Sequence, residues 1–232
     1  PEYANAFELN AIRVLDNHTL SASAYHRMAS SVIQEIRYLD NGIIYQTPDN
    51  VTSSTSSGLE LIAKDRLTKW LETTSTVNVY HTHLNGFTYK GNDYKGSEGF
   101  SWNARINSTW LMSPSLTGQL SGFYNAPRVM AQGRTKSNYT VDAGLRKSFL
   151  DRSLLVAVNA RNLLNSFNFS STSFGPGFYQ ESKNQFFGRT LQLTVTWNFG
   201  NMKPKQKKPN GENGDGDAGM GGGMDSGMDG GF

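Results

Sequence analysis

The fold is decided by the stretch Thr190-Leu191-Gln192-Leu193-Thr194-Val195-Thr196-Trp197-Asn198-Phe199, in which polar and apolar residues alternate without a break. Successive side chains of a β-strand point to opposite faces, so this stretch predicts a strand with one polar face and one apolar face. In a strand that crosses a membrane, the apolar face meets lipid. That face would carry Leu191, Leu193, Val195, Trp197 and Phe199.

Eight earlier stretches of the 232-residue chain alternate in the same way: residues 4–15, 19–28, 56–66, 71–84, 100–112, 116–125, 138–149 and 153–161. Short turns and long loops alternate along the chain, with the short turns at 16–18, 67–70, 113–115 and 150–152. Outer-membrane barrels have short periplasmic turns and long extracellular loops, whereas soluble β-sandwiches do not enforce this alternation. The sequence therefore predicts an all-β, antiparallel transmembrane β-barrel.

The long connections cover residues 29–52, 85–98, 126–136 and 162–187. The first contains Asn41-Gly42, the strongest short hairpin signal, so it is predicted to carry its own hairpin beyond the membrane. Exposed aromatic residues commonly anchor ligands, which makes the loop aromatics the candidate ligand-binding residues. They are Tyr38, Tyr45, Phe174, Phe178 and Tyr179, and packing of the loops on themselves is an equally good explanation of them.

Nine antiparallel strands leave two unpaired edges, which lipid does not tolerate. The chain is therefore predicted to supply the last nine strands of a larger barrel with an even number of strands. Residues 1–200 form the barrel segment of this prediction. Residues 201–232 are rich in Gly, Asp and Met, cannot bury a core, and are predicted to be a disordered periplasmic tail.

Composition excludes several other classes of protein. No apolar run approaches the roughly 20 residues that a membrane helix needs. Cysteine is absent, so disulfide and thiolate chemistry is not available. The basic cluster at 203–208 is short and lies outside every periodic segment, so it does not predict nucleic-acid binding. Aromatic residues fall near both ends of the predicted strands, as in the interfacial belts of membrane proteins.

Charged residues of the predicted strands fall almost entirely on the polar face, which would line the lumen. The residues predicted to face the lumen or a plug are Glu60, Lys64, Arg105, Asp142, Arg146 and Arg161. Their simplest role is to form cross-strand pairs and to contact water, and their more specific role is to hold a plug.

No motif in the sequence predicts catalysis or a cofactor. His81 and His83 stand at an i, i+2 spacing without a third ligand nearby, so no metal site is predicted there. Asp215-Gly216-Asp217 lacks the rest of a calcium loop. The chain is therefore expected not to be an enzyme and to need no metal ion.

Two segments resemble TonB-dependent outer-membrane receptors. Asn159-Ala160-Arg161-Asn162-Leu163-Leu164-Asn165 is similar to the penultimate-strand segment N-x-x-N-L-L-N, and the stretch from Gly188 to Gly200 is similar to their last strand. The segments Gly99-Phe100-Ser101-Trp102-Asn103 and Asn125-Ala126-Pro127 resemble the related outer membrane protein beta-barrel family. The likeness covers about residues 1–200.

The resemblance implies a 22-stranded barrel in the outer membrane of a Gram-negative bacterium, with a plug domain upstream and energy supplied by the TonB complex. It also implies TonB-dependent uptake of a nutrient, with a surface lipoprotein as a possible further partner. Two alternatives stay open at this point: an outer-membrane barrel with a passive or structural role, and a secreted soluble β-sandwich that binds glycans.

Overall fold

The computed structural model describes residues 1–199, which form β-strands and the segments that connect them. Within these residues no helix is long and apolar enough to cross a membrane. The strands are β1 (Tyr3–Leu15), β2 (His18–Asp40), β3 (Ile43–Thr68), β4 (Leu71–Leu84), β5 (Phe87–Tyr89), β6 (Asn92–Tyr94), β7 (Ser97–Ser113), β8 (Leu116–Asn125), β9 (Val129–Met130), β10 (Gly133–Thr135), β11 (Asn138–Phe149), β12 (Leu154–Arg161), β13 (Phe169–Gly175), β14 (Phe178–Asn184) and β15 (Thr190–Trp197).

The nine longer stretches form a single antiparallel sheet, which we call the wall, in the order β1-β2-β3-β4-β7-β8-β11-β12-β15. Each strand therefore lies beside the next wall strand of the chain. Among the described residues β1 pairs only with β2 and β15 only with β12, so the wall has two open edges. The predicted all-β, antiparallel architecture is confirmed, and the nine strands lie in one sheet rather than in the two packed sheets of a sandwich.

Neighbouring wall strands are staggered. One row of directly paired residues starts at Leu15, beside the first short turn, and crosses all nine strands to Leu191. Its members are Leu15, His18, Asp65, Thr73, Ser108, Leu120, Ala143, Ala160 and Leu191. Leu191 lies at the opposite, long-loop end of its strand. The row thus climbs from one rim of the wall to the other, as it does when strands are tilted around a barrel axis.

Backbone conformation explains two of the tight turns. Asn41 and Gly42, which join β2 to β3, have φ angles of 48° and 80°, as a two-residue hairpin turn requires. Leu150, Asp151 and Arg152 before β12 all have positive φ angles, of 51°, 51° and 71°. Asp tolerates this region better than a branched apolar residue does, so the second turn is the more strained of the two.

The predicted break between the wall and the first long loop is wrong. β2 and β3 run on past residues 28 and 56 and stay paired up to Asp40 and Ile43. A bulge between Ala29 and Val32, with Ser31 at a φ of 53°, marks the point where the hairpin leaves the regular register. Beyond this bulge polar and apolar residues no longer alternate regularly along β2 and β3, although the backbones of the two strands stay paired.

The other long connections were predicted as loops but contain short strands. β5 and β6 form a hairpin, and β14-β13-β10-β9 form a four-stranded sheet that we call the loop sheet. Together with the distal part of the β2/β3 hairpin, residues 32–52, these elements make up what we call the loop layer. Its small core contains the fully buried Ile36, with Phe87, Tyr94 and Ala131 around it.

The last wall strand ends at Trp197, two residues earlier than predicted. The backbone N–H of Asn198 still donates to the carbonyl of Ser153 at 2.8 Å, and Phe199 beyond it is 87% exposed. Phe199 therefore lies beyond the end of the strand, whereas the sequence predicts it on the apolar face of the strand. The predicted tail at 201–232 and the basic cluster at 203–208 lie outside the described residues.

Candidate functional site

The register divides the wall into an apolar face and a polar face. Val195 pairs with Val156, and Leu193 pairs with Val158, so the apolar sets of β12 and β15 share one side. Leu191 and Trp197 lie on the same side, opposite Ala160 and Leu154. Four of the five residues predicted to face lipid thus lie on one continuous apolar surface of the last strands.

The six charged residues predicted to line the lumen all lie on the other face. Glu60 pairs with Asn78 and Lys64 with Thr74, Arg105 pairs with Phe123, and Asp142 pairs with Ser121. Arg146 is opposite Ala157, and Arg161 is opposite Thr190. Within residues 1–199 no ion pair joins any two of these six residues. Their charges are therefore distributed over the polar face rather than cancelled in cross-strand pairs.

Aromatic side chains line both ends of the apolar face. Trp102, Tyr124 and Tyr139 stack in a row near the loop end, with ring centroids 4.7 Å and 6.4 Å apart. Trp70 and Trp110 meet near the short-turn end at 5.7 Å. Amphipathic aromatic rings are favoured at the level of lipid headgroups, so the two groups delimit an apolar band.

His81 and His83 both lie on the apolar face, at its loop end. His83 Nδ1 is 3.1 Å from the carboxylate of Glu98, and the His81 ring is 4.7 Å from that of Phe100. Among the residues that the structure describes, no three His, Cys, Asp or Glu side chains are grouped so that they could hold a metal ion. The two histidines therefore have polar and aromatic neighbours that account for their position.

A cavity of about 500 Å³ lies between the polar face of the wall and the loop sheet, and we call it the mouth cavity. Its wall side is formed by Tyr80, Asn103, Asn125 and Asn138, and its loop side by Phe169, Ser171, Ser182 and Asn184, with Glu35, Arg37 and Arg128 also in the lining. The loop-side residues pair directly across β13 and β14, so they share one face of the loop sheet. The cavity thus lies between the polar face of the wall and the opposing face of the loop sheet.

Four asparagines form a row across the polar face, which we call the carboxamide row. Asn78, Asn103, Asn125 and Asn138 are direct partners from β4 to β11. The last three line the mouth cavity. Asn125 Nδ2 donates to Asn138 Oδ1 at 2.8 Å, and the Tyr25 hydroxyl donates to Asn78 Oδ1 at 3.2 Å. Side chains of the row are therefore held in place by neighbouring strands.

The loop side of the cavity is fastened to the β2/β3 hairpin by Gln132. Its side-chain oxygen accepts from the Arg37 N–H at 2.7 Å, and its amino group donates to the Arg37 carbonyl at 2.8 Å. The Gln132 side chain thus pairs with the Arg37 backbone as a strand would. Arg37 in turn donates to Ser173 Oγ at 2.6 Å, which ties β2 to β13. Sequence analysis missed Gln132 because nothing in its local pattern indicates a partner 95 residues away.

The loop aromatics predicted to bind ligand do not line the mouth cavity. Tyr38 and Tyr45 stack on each other at 5.4 Å, and Lys90 Nζ lies 3.8 Å from the centre of the Tyr38 ring. Phe174 and Tyr179 pair across β13 and β14, at positions whose side chains point away from Phe169 and Ser171. Phe178 packs against Gly175. Three of the five therefore pack on their own hairpins, and Phe174 and Tyr179 point to the outer side of the loop sheet.

Ionisable groups of the loop layer show two kinds of pKa shift. The hydrogen bond from the Tyr179 hydroxyl, at 2.8 Å, and the nearby Lys136 ammonium, at 3.3 Å, lower the pKa of the Glu181 carboxyl. The same bond to Glu181 raises the pKa of Tyr179. Burial raises the pKa of Tyr94, which stacks on Phe87 in the loop-layer core.

Asn162, in the segment that resembles TonB-dependent receptors, has a structural role. It is fully buried, has a φ of 52°, and accepts the N–H groups of Ser166 and Phe167 at 3.0 and 3.1 Å. Its own N–H donates to the Asp142 carboxylate at 2.7 Å. The carboxylate that was predicted to contact a plug therefore also anchors the chain where it leaves β12.

A cluster of phenylalanines, which the sequence analysis missed, packs the same connection against the polar face. Phe167 meets Phe123 of the wall at 5.8 Å, and it also meets Phe169 and Phe187 at 5.0 Å each. Phe169 then enters the lining of the mouth cavity. The only sequence signal for this cluster was a high density of Phe between residues 167 and 187.

The wall, its two contrasting faces, its aromatic bands and its alternation of short turns with long connections define a protein of the outer-membrane β-barrel class. The chain belongs to the outer membrane protein beta-barrel family, whose model matches residues 1–197, and it is an outer-membrane protein. Comparison with curated proteins and comparison with solved structures find no match.

Proposed function

We propose that this chain is the C-terminal wall of a TonB-dependent receptor that takes up a nutrient across the outer membrane. In this proposal the apolar face meets lipid, the polar face lines the lumen, and the mouth cavity receives the ligand from outside. The observation that carries it is the position of the cavity, which lies on the polar face at the long-loop end of the wall.

The lipid assignment is supported by the depth at which polar groups occur. On the apolar face of β2 and β3, the hydrogen bond of His18 with Asp65 (2.8 Å) lies at the turn end and the hydrogen bond of His26 with Ser57 (2.7 Å) at the loop end. Between them lie Leu20, Ala22, Ala24, Leu59, Leu61 and Ala63. Charged and polar groups at the rims with an apolar band between them match the depth dependence of insertion cost.

The lumen assignment, with a plug as partner, is supported by the six charged residues of the polar face. Charges such as those of Arg105 and Arg146, spread over a sheet face without ion pairs among themselves, suit contact with water or with a polar domain inside the barrel. A plug upstream in the full protein, the TonB complex below it and a surface lipoprotein above it are the partners of this proposal. The tail at 201–232 would lie in the periplasm.

The receptor would do no chemistry on its ligand and would need no cofactor. The mouth cavity brings together amides, hydroxyls and aromatic rings, which bind by hydrogen bonds and stacking. The lining also holds Glu35, Arg37, Arg128 and Lys136, of which Arg37 and Lys136 lie 3.6 Å and 3.3 Å from carboxylates. We therefore propose binding and transfer rather than catalysis.

Two measurements on the full-length protein, purified from the outer membrane in detergent, test the proposal. The first is pull-down with the periplasmic domain of the host TonB protein, and the second is single-channel conductance in a planar bilayer. A TonB-dependent receptor is expected to bind that domain and to give no steady open channel, because a plug fills its lumen. A steady conductance without TonB binding would contradict energised uptake and favour a passive outer-membrane barrel.

A further inference from the structure

We propose that the mouth cavity binds an uncharged, hydroxyl-rich ligand of the saccharide class. The inference rests on the proposed function, because it takes the mouth cavity as the place where the receptor meets its ligand. It goes further by naming the chemistry that the cavity selects, and it is argued from the lining alone.

The amide groups of the lining are the first argument. Asn103, Asn125 and Asn138 on the wall and Asn184 on the loop sheet each carry an amide with two N–H donors and one carbonyl acceptor in one plane. One donor of Asn125 is used by Asn138 and one donor of Asn184 by Ser182, and the remaining groups can face a ligand. A sugar hydroxyl both donates and accepts, so neighbouring hydroxyls can bond an amide through both of its ends. Ser170, Ser171 and Ser182 add hydroxyl groups of the same dual character.

The fixed orientation of one amide is the second argument. The bond from Asn125 Nδ2 to Asn138 Oδ1 uses an acceptor of Asn138, and no bond from the Asn138 amino group is found among the described residues. That amino group is therefore available to donate to a ligand. On the same face of the loop sheet, but outside the cavity lining, Gln180 has a buried side-chain oxygen without a hydrogen-bond partner among the described residues.

The two aromatic rings of the lining are the third argument. Tyr80 lies on the wall side and Phe169 on the loop side. A flat ring with a polarised face packs well against the C–H face of a sugar ring, while the hydroxyls at the rim of the sugar reach the amides. A lining made only of amides would suit many polar solutes, but amides beside rings suit a saccharide best.

The compensation of charges is the fourth argument. The Arg37 guanidinium lies 3.6 Å from the Glu35 carboxylate and also donates to Ser173 and Gln46, so each of its three nitrogens already has a partner. Lys136 pairs with Glu181 at 3.3 Å. Arg128 is the single charged side chain of the lining without an ion pair among the described residues, and it is exposed. The lining holds three cations and one carboxylate, but the nitrogens of Arg37 are engaged and Lys136 is paired, so an anionic ligand would meet only Arg128 without an ion pair among the described residues.

The size and rigidity of the cavity agree with this class. Its volume of about 500 Å³ falls within the usual range of ligand pockets, roughly 300–1,000 Å³. The two bonds of Gln132 to the Arg37 backbone hold the loop side against the hairpin before any ligand arrives. Less ordering is then left for the ligand to impose, which favours affinity for a small polar solute.

The experiment uses the full-length protein in detergent on an array of trisaccharides, some neutral and some containing uronic acids. Binding to neutral trisaccharides is expected, and the variants Asn103→Leu and Asn138→Leu are each expected to weaken it about tenfold, as loss of a hydrogen bond predicts. Asn107→Leu is the matched control, because Asn107 lies on the same polar face outside the cavity and should leave binding unchanged. Resistance to unfolding in SDS before heating verifies that each variant is folded.

Binding to no saccharide, or to acidic ones only, would overturn the inference, as would equal losses in Asn138→Leu and Asn107→Leu. The result is separable from the proposed function. A protein that binds TonB but no saccharide would keep energised uptake and lose the ligand class. A protein that binds neutral trisaccharides through Asn138 yet conducts steadily would keep the ligand class and lose energised uptake.

Discussion

The wall and the loop layer of this molecule are stabilised by different means. In the wall, long strands pair in register and every second side chain joins a continuous apolar or polar face. In the loop layer, short strands are held by a few buried contacts, such as Ile36 in its core and Gln132 on the Arg37 backbone. Regular repetition therefore stabilises the wall, whereas single specific contacts stabilise the loop layer, and substitutions should separate the two.

The largest effect is expected from a charge on the apolar face of the wall. Val158→Arg or Val195→Arg should destabilise the folded protein by about 2–4 kcal/mol if the site lies at mid-membrane, because an arginine there must leave water. Thr194→Arg, one position along β15 on the polar face, should cost much less. Urea unfolding of the full-length protein in lipid vesicles measures both, and equal losses on the two faces would contradict the lipid assignment.

The next effect is expected at the boundary between the two regions. Asn162→Ala would leave the N–H groups of Ser166 and Phe167 without their buried acceptor, at a cost of about 1–3 kcal/mol. Asn165→Ala is the control, since Asn165 has nearly the same φ, 53°, but is exposed. The urea midpoint and proteolysis of residues 166–187 give the readout. If the two variants behave alike, backbone strain rather than the buried bonds is responsible.

An effect of similar size is expected from a methyl group inside the wall. A Cβ on Gly58 would lie 2.5 Å from the Tyr25 hydroxyl and 2.8 Å from the Tyr80 Cβ, so Gly58→Ala should cost about 1–3 kcal/mol through overpacking. Gly122→Ala is the control, because there the nearest atom is at 3.4 Å. The same unfolding measurement compares them. A Gly58→Ala protein as stable as Gly122→Ala would mean that Tyr25 moves aside freely.

The smallest effect concerns pH and is confined to the loop layer. The pKa of Glu181 is lowered in the folded protein, so its contacts with Tyr179 and Lys136 stabilise the β13/β14 hairpin above the ordinary carboxyl pKa. That contribution is lost as the pH falls through the lowered folded value. Hydrogen exchange, corrected for its intrinsic pH dependence, should therefore show weaker protection of β13 and β14 at acidic pH. In Glu181→Gln this change should be absent, and a change of the same size there would exclude Glu181 as its cause.

The wall could be predicted from the sequence because its determinant is local. Alternation in stretches such as 138–149 sets the strand, and the turn at 150–152 sets its partner, so topology and faces follow from neighbours in the chain. The mouth cavity could not be predicted, since it depends on Asn138 meeting Phe169 and Ser182 across separate connections. Tyr38 and Phe174 were chosen as exposed loop aromatics, but sequence alone did not indicate which side of a hairpin they occupy.

The continuity of β2 and β3 has a mechanical consequence. These strands of 23 and 26 residues form one continuous hairpin that starts in the wall and ends at the Asn41-Gly42 turn. A force on the stacked Tyr38 and Tyr45 near that turn would act far from the wall, and the regular pairing of the two strands is interrupted in between, at the bulge beside Ser31. Because Gln132 joins the same hairpin to the loop side of the mouth cavity, bending at the bulge would move that side relative to the wall side.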